Sequence, residues 1–358
     1  MNSKSRDTIF EIVRTLVAIG ISLLLAFIII LFVSEEPGVA INKFLLGPLT
    51  SVRRMGNVIE MAIPLIFTGL AVSVMFKAKQ FNMGAEGAFF IGGVAASFIA
   101  IRVALPMGVH PIVALLFGGL AGAVAGLIPA ILKTKWEASE LVSSLMLNYI
   151  FLFFGVYLIN YTLRDSSAGA MVSLKFNETA TLGKLIPSTR ISYGLIIAII
   201  MVIISYLFLY KSKWGYSIRM TGMNSSFAKY SGIKTAKVII YSQVIGGFIA
   251  GMGGATEMLG MYDRFQWQGL PGYGFDGIIV AILARYNPAL IPVAAIFLAY
   301  IRVGADIMSR STDVASEVVA IIQGIMIILI SAYSFLAVWK HKMLVKKSKL
   351  SLAAEGEN

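Results

Sequence analysis

The sequence predicts an all-α polytopic membrane protein of about ten transmembrane helices, and three observations carry that prediction. The 358 residues are 58% hydrophobic and only 13% charged, with a mean hydropathy of +0.84, whereas soluble domains hold about a quarter charged residues. Uncharged apolar runs recur along the chain at the length a helix needs to cross about 30 Å of hydrocarbon. Lys and Arg gather in alternate connections between those runs, as cytoplasmic loops do. Composition also excludes several classes. With no cysteine, disulfides and thiolate metal sites are out. His110, in the turn PMGVHP, and His341, in a basic tail, are far apart in sequence and argue against a metal site or His-based catalysis. The net charge of +12 fits loops facing anionic lipid and partner proteins rather than nucleic acid.

The first run, Thr15 to Val33, follows Lys4, Arg6 and Arg14 and has no small-residue cleavage site after it, so it reads as a retained signal-anchor helix. The turn SEEPG ends it. A second span covers about Ile59 to Phe76; its Pro64 is tolerable because neighbouring helices can satisfy the freed carbonyl. KAKQFNMGAEG, from Lys77 to Gly87, opens a Gly/Ala-rich span to about Ile101. In Pro111 to Leu132, Gly118, Gly119, Gly122 and Gly126 give the small-residue spacing that lets helices approach closely. Leu141 to Leu163 carries Asn148 and Asn160 at lipid depth. Residues 164–190 read as a polar, exposed excursion before the span Ile191 to Tyr210.

The basic loop Lys211 to Lys237 divides the chain. It has six Lys/Arg and no Asp or Glu. Val238 to about Leu259 spans next, and the polar, glycine-broken Met261 to Gly274 follows. Gly277 to Ala284 is too short to span alone, about 12 Å of helix, and belongs to a broken helix buried in protein or lining a cavity. Tyr286 to Ile301 and Val318 to Trp339 complete the set. The chain thus divides, within one domain, into two pseudo-symmetric halves with broken helices: about 1–210 and 238–339, joined by 211–237 and ended by a basic tail, 340–358. With the N-terminus inside, most of the 30 Lys/Arg fall on the cytoplasmic side, which predicts that both termini are cytoplasmic.

Two stretches interrupt the hydropathy in matching ways. Phe81-Asn82-Met83-Gly84-Ala85-Glu86-Gly87 opens one apolar run and Gly272-Tyr273-Gly274-Phe275-Asp276-Gly277 another. Each sets an acid and a glycine before a helix, and by the topology above they begin on opposite sides of the membrane. Paired glycine-broken segments point to a solute path in an inverted repeat. A second reading stands beside it: Glu86 and Asp276 cap helix starts, where a carboxylate suits the dipole. Phe81, Tyr273, Phe275 and Trp267 either stack on a planar solute or anchor at the interface. Asn148 and Tyr149 lie mid-span, facing other helices or a pore.

The chain has no G-x-x-x-x-G-K-[ST] phosphate-binding loop. If ATP drives transport, the ATPase is another subunit and the basic loop is its dock. A stand-alone secondary carrier is less favoured, because no series of carboxylates or histidines at mid-depth was found for proton coupling.

FNMGAEG with its Gly/Ala-rich continuation, the loop RMTGMNSSFAKYSGI and the run LPGYGFDGIIVAILAR stand in an order that resembles a known family. It is the integral-membrane permeases of ABC importers of the branched-chain amino acid, ribose and simple-sugar group. Within it, the chain looks closest to bacterial nucleoside-uptake permeases. The spacing R-x-x-G-x-N-x-x-x-A-x-x-x-G-I, Arg219 to Ile233, is the more specific signal, and the likeness extends from about Ile59 to Ile330. One departure is Ala284, where relatives often have glycine before Arg285-Tyr286-Asn287-Pro288. The resemblance implies a non-enzymatic permease for nucleosides, with a simple sugar or another small polar solute as alternative. It implies a second homologous permease in a heterodimer, a cytoplasmic ABC ATPase holding ATP and Mg, and an extracellular or periplasmic solute-binding lipoprotein, all at a bacterial plasma membrane. It marks Gly222, Met223, Asn224, Phe227, Ala228, Tyr230 and Gly232 as a short coupling helix on the ATPase, flanked by the two glycines. It leaves Phe81, Asn82, Gly84, Glu86, Asn148, Tyr149, Tyr273, Phe275 and Asp276 as candidates for the solute path.

Overall fold

The computed structural model describes residues 20–21, 23–315, 317–318, 321 and 324–325. Among them the regular structure is helical, with only isolated β-bridges. The helices are α1 (Leu23–Val33), α2 (Pro37–Leu46), α3 (Val52–Lys77), α4 (Ala85–Arg102), α5 (Val109–Trp136), α6 (Glu140–Thr162), α7 (Gly194–Lys211), α8 (Lys213–Met223), α9 (Ser225–Tyr230), α10 (Thr235–Met261), α11 (Tyr273–Leu283) and α12 (Ile291–Ser311). Among the described residues, seven segments are long and apolar enough to cross a membrane: α3 to α7, α10 and Pro288–Ser311. They match the second to seventh and the ninth expected spans. The start of the first expected span (15–19, with 22) and most of the last, with His341 and the tail, lie outside the described residues; α1 is the described part of the first. α11 is short, as expected, with 11 residues or about 16 Å.

The SEEPG segment is more than a turn. Pro37 sits in the first turn of α2, where its fixed φ suits a helix and its missing N–H is no loss. Elsewhere the sequence pattern extends by a turn or so into longer helices. Ser51, Ser139 and Ser212 cap α3, α6 and α8 by accepting backbone N–H bonds from Arg54, Val142 and Gly215.

The chain forms two compact units, residues 49–300 and the described parts of 1–48 with 301–358. In the smaller unit, the Ser34 hydroxyl donates to Asp313 Oδ1 at 2.7 Å and the Glu35 amide to Oδ2 at 2.6 Å. In the larger unit the expected halves interlock: α10, from the second, packs chiefly on α5, α4 and α3, from the first. The reason is the glycine pattern. A side chain at Gly122 would overlap the carbonyl of Gly247 and lie 2.8 Å from the Cα of Gly251; Gly118 and Gly126 meet Gly251 and Gln243 in antiparallel register. Without side chains the backbones touch. α3 and α4 are buried along most of their length, whereas α6 and α7 keep one broad apolar face outward.

The excursion at 164–190 is exposed only in part. Its first arm pairs with 263–268: the Ser173 amide donates to the Phe265 carbonyl, the Phe176 amide to Asp263, and Arg264 bonds Asp165 at 3.3 Å. Hydrogen bonds from the Ser167 hydroxyl and amide hold the Asp165 carboxyl below its usual range. This arm fixes the segment that leads into α11.

Candidate functional site

The two glycine-broken segments meet. The N-terminus of α11 lies against the N-terminus of α4, so closely that a side chain at Gly274 would overlap the backbone N and Cα of Glu86. The expectation that these helices open on opposite membrane sides is therefore corrected: both begin at one point inside the bundle. Each preceding loop turns back into the protein before its helix starts. The Asn82 amide donates to Gln243 Oε1 at 2.6 Å, eight residues into α10 and so about 12 Å along its axis. On the other side Trp267 reaches inward to stack on Phe89 at 5.7 Å between centroids.

Glu86, fully buried, holds the seam. Its Oε1 accepts the Gly272 N–H at 2.6 Å and its Oε2 the Gly274 N–H. The capping reading of this acid is thus favoured, in an unforeseen form, because Glu86 caps the other segment's helix. Gly272 precedes that helix with φ +87°, a left-handed conformation that glycine adopts without strain. A carboxylate on several N–H groups at a helix start satisfies orphan donors and the dipole together. Asp276, also buried, lies one turn into α11.

Amides brace the α4 side. Asn148, buried on α6, accepts the Gly87 N–H at 2.8 Å and donates to the Met83 carbonyl at 3.0 Å. Asn82 Oδ1 accepts the Gly84 N–H at 2.5 Å, and the Met83 amide donates to Ser144. Gly84 has no room for a side chain beside Asn82.

Of the candidate path residues, Asn82, Gly84, Glu86 and Asn148 gather at the seam from the α4 side, and Tyr273, Phe275 and Asp276 from the first turn of α11. Tyr149 is 57% exposed on the outer face of α6, away from buried Asn148. Phe81 is equally exposed, edge-on to Phe76 at 5.2 Å. Trp267 belongs to an aromatic core with Phe89, Phe90 and Phe265, and the Tyr273 hydroxyl donates to Glu257 Oε1 at 3.4 Å. Two acids escaped the sequence reading, Glu60 on α3 and Glu257 on α10. The signal for each was present: a lone acid inside a long apolar run, which is costly in lipid and marks function by default.

The basic loop folds as α8 and α9. The expected glycine breaks are half right. Gly232 has φ +83° and ends the second helix, but Gly222 is inside α8, pressed on the carbonyl of Lys77. The break falls at Asn224, whose side chain caps α9 by accepting the Phe227 N–H at 3.0 Å. Ala228 is fully buried in its own chain, while Met223, Phe227 and Tyr230 are 75%, 56% and 92% exposed. The expectation that Ala228 offers an outward contact is overturned: on a short helix, one face must pack on the protein.

The sequence is similar to several known proteins. The guanosine ABC transporter permease protein NupP of Bacillus subtilis is 32% identical over 281 residues, 78% of this chain and 81% of that one. The nucleoside ABC transporter permease protein NupB of Lactococcus lactis is 28% identical over the full length of both. The glucose ABC transporter permease protein TsgB13 of Haloferax volcanii is 30% identical over 84% of this chain and 82% of its own. The family model described as "Branched-chain amino acid transport system / permease component" matches residues 54–331, and the chain belongs to that family.

Proposed function

We propose that this chain is the membrane permease of an ATP-driven importer in a bacterial plasma membrane and forms the path by which nucleosides enter. The observation that carries the reading is the seam at Glu86 and Gly274. Helices that start inside a bundle, with glycine on both sides of the join, are the usual architecture of a solute site. The names of the Bacillus and Lactococcus relatives support nucleoside as the cargo. Ten spans in two inverted halves, with both termini cytoplasmic, fit the charge distribution.

ATP and Mg belong to a separate ATPase subunit, which seats on α9 through Met223, Phe227 and Tyr230. A second homologous permease completes the path, and a solute-binding lipoprotein delivers cargo outside. A simple sugar is the second reading, favoured by the comparable likeness to the Haloferax glucose permease. The test is reconstitution of the complete complex in proteoliposomes, with labelled guanosine, uridine and glucose supplied to the binding protein. ATP-dependent uptake of the nucleosides and not of glucose is expected; uptake of glucose alone would overturn the nucleoside reading.

A further inference from the structure

A cavity of about 300 Å³ opens at the C-terminal end of α10, walled by Lys184, Arg190, Tyr262, Asp263 and Gln266. Its basic wall is a built turn. The Leu185 amide donates to the Ile191 carbonyl at 2.8 Å and the Tyr193 amide to the Gly183 carbonyl at 3.0 Å, which sets Lys184 opposite Ser192. Arg190 lies two residues before Ser192, so both cations leave the turn on one face. The turn is fixed on two sides. The Leu182 amide donates to the Leu259 carbonyl at 2.8 Å, and a side chain at Gly56 of α3 would lie 2.8 Å from the Thr189 Cβ. Lys184 and Arg190 are both exposed, and neither makes a salt bridge or a side-chain hydrogen bond among the described residues. Asp263, the acid in the wall, has Arg264 Nε at 3.9 Å. Glu60, which feels the charge of Arg190, stands inside α3, one turn past Gly56. Arg53, exposed and one turn before Gly56, adds a third cation near the turn.

The position of the cavity matters as much as its charge. α10 begins at Thr235, just after α9, and runs for 27 residues, about 40 Å of helix against about 30 Å of hydrocarbon. The cavity at its far end therefore lies on the membrane face opposite α9. We infer that the cavity walled by Lys184 and Arg190 is a socket for an acidic side chain of the solute-binding protein, gripped where cargo is handed over. The inference rests on the importer reading above and deepens it: with the ATPase on α9, the cavity faces the side from which cargo comes. The chemistry is complementary. Two cations without an ion-pair partner take a carboxylate in charge-assisted bonds, and the guanidinium can do so with two parallel N–H groups. The turn holds both before a partner arrives, so little ordering is lost on docking. Exposed charges of this kind act chiefly on capture, by drawing an oppositely charged surface to one place.

The experiment is ATP-dependent uptake of labelled uridine by the complete complex in proteoliposomes, with loaded binding protein titrated outside. Lys184→Glu combined with Arg190→Glu should raise the half-saturating concentration of binding protein about tenfold or more. Thermal unfolding and ATPase association should stay as in the wild type, because both side chains are exposed. Added salt should weaken capture by the wild type and leave the double variant unchanged or improved. Lys184→Gln combined with Arg190→Gln should shift half-saturation the same way by less, and it decides the matter where charge reversal prevents assembly. Lys175→Glu, at an exposed cation of the same excursion that does not wall the cavity, is the control for general charge. Half-saturation equal to wild type in every double variant that assembles, or an equal rise from Lys175→Glu, would overturn the inference. Uptake by the wild type that needs no binding protein would instead refute the importer reading, and the socket would fall with it.

Discussion

A methyl group at Gly274 offers a sharp trial of the seam. In Gly274→Ala it would overlap the N and Cα of Glu86 and lie 2.8 Å from the carbonyl carbon of Ala85. These are backbone atoms, with no rotamer to yield. α11 must retreat by on the order of 1 Å to restore carbon contacts of about 3.5 Å. That retreat takes the 2.6 Å Gly272 bond and its Gly274 counterpart toward or beyond the limit of a hydrogen bond. Two N–H groups in a buried place then go unpaired at about 1–3 kcal/mol each, a total of about 2–6 kcal/mol. Neighbouring glycines give the scale. Gly272→Ala meets no atom within 4 Å and carries only the strain of φ +87°, about 1–2 kcal/mol. Gly269→Ala has open space and no such φ, so it should stay within about 0.5 kcal/mol of wild type. The assay is thermal unfolding of the purified permease in detergent, paired with uptake by the reconstituted complex. The expected order of melting is Gly269→Ala, then Gly272→Ala, then Gly274→Ala, lowest by several degrees and without uptake. A Gly274→Ala protein that melts with the Gly269→Ala protein would refute the seam as described.

Four further expectations follow from other contacts. Asn148→Leu removes the partners of the Gly87 N–H and the Met83 carbonyl and should cost about 2–4 kcal/mol, read in the same melts; an unchanged melting point would show the brace to be dispensable. Gly122→Leu forces a side chain into the Gly247 carbonyl and should abolish stable expression, while Leu120→Ala, at a position 57% exposed, should leave it intact. Ala228→Trp should damage the α8–α9 fold itself, because the site is fully buried. Tyr230→Ala should spare the fold and weaken ATPase association, by on the order of 2 kcal/mol if Tyr230 is an anchor of that contact. Co-purification yield measures it, and full association of a Phe227→Ala, Tyr230→Ala double variant would discard α9 as the dock.

The spans were legible because hydropathy and length are local properties, and the glycines of α5 announced a close approach before any partner was known; the matching glycines of α10 went unread. The meeting of α4 and α11 was not legible. Residues 78–84 and 262–272 look like ordinary polar loops, and only tertiary bonds such as Asn82 to Gln243 turn them inward. Glu86 shows the limit well. Its type and place at a helix start suggested a cap, yet the capped amides lie 186 and 188 residues away. Gly222 misled for the opposite reason: glycine is the usual helix breaker, but here its smallness serves contact with Lys77 and Asn224 makes the break. Ala228 was drawn to the surface by a motif that fixes sequence spacing and says nothing of which way each side chain points.

The glycine contact between α5 and α10 has a mechanical consequence. Packed helices usually slide past one another by letting interface side chains change rotamer. Between Gly118, Gly122 and Gly126 on one helix and Gly247 and Gly251 on the other there are few rotamers to change, and carbonyl oxygens of each helix are set against the Cα atoms of the other. The pair is therefore the stiff strut of the larger unit, and whatever motion accompanies passage must be taken up around it. α4 shares in that strut, since Gly92 is pressed on the Gly251 backbone and Gly254 on the Phe89 carbonyl, so the yielding falls to α11 and the inward loop 262–272 before it, tied to α4 by the two amide bonds to Glu86.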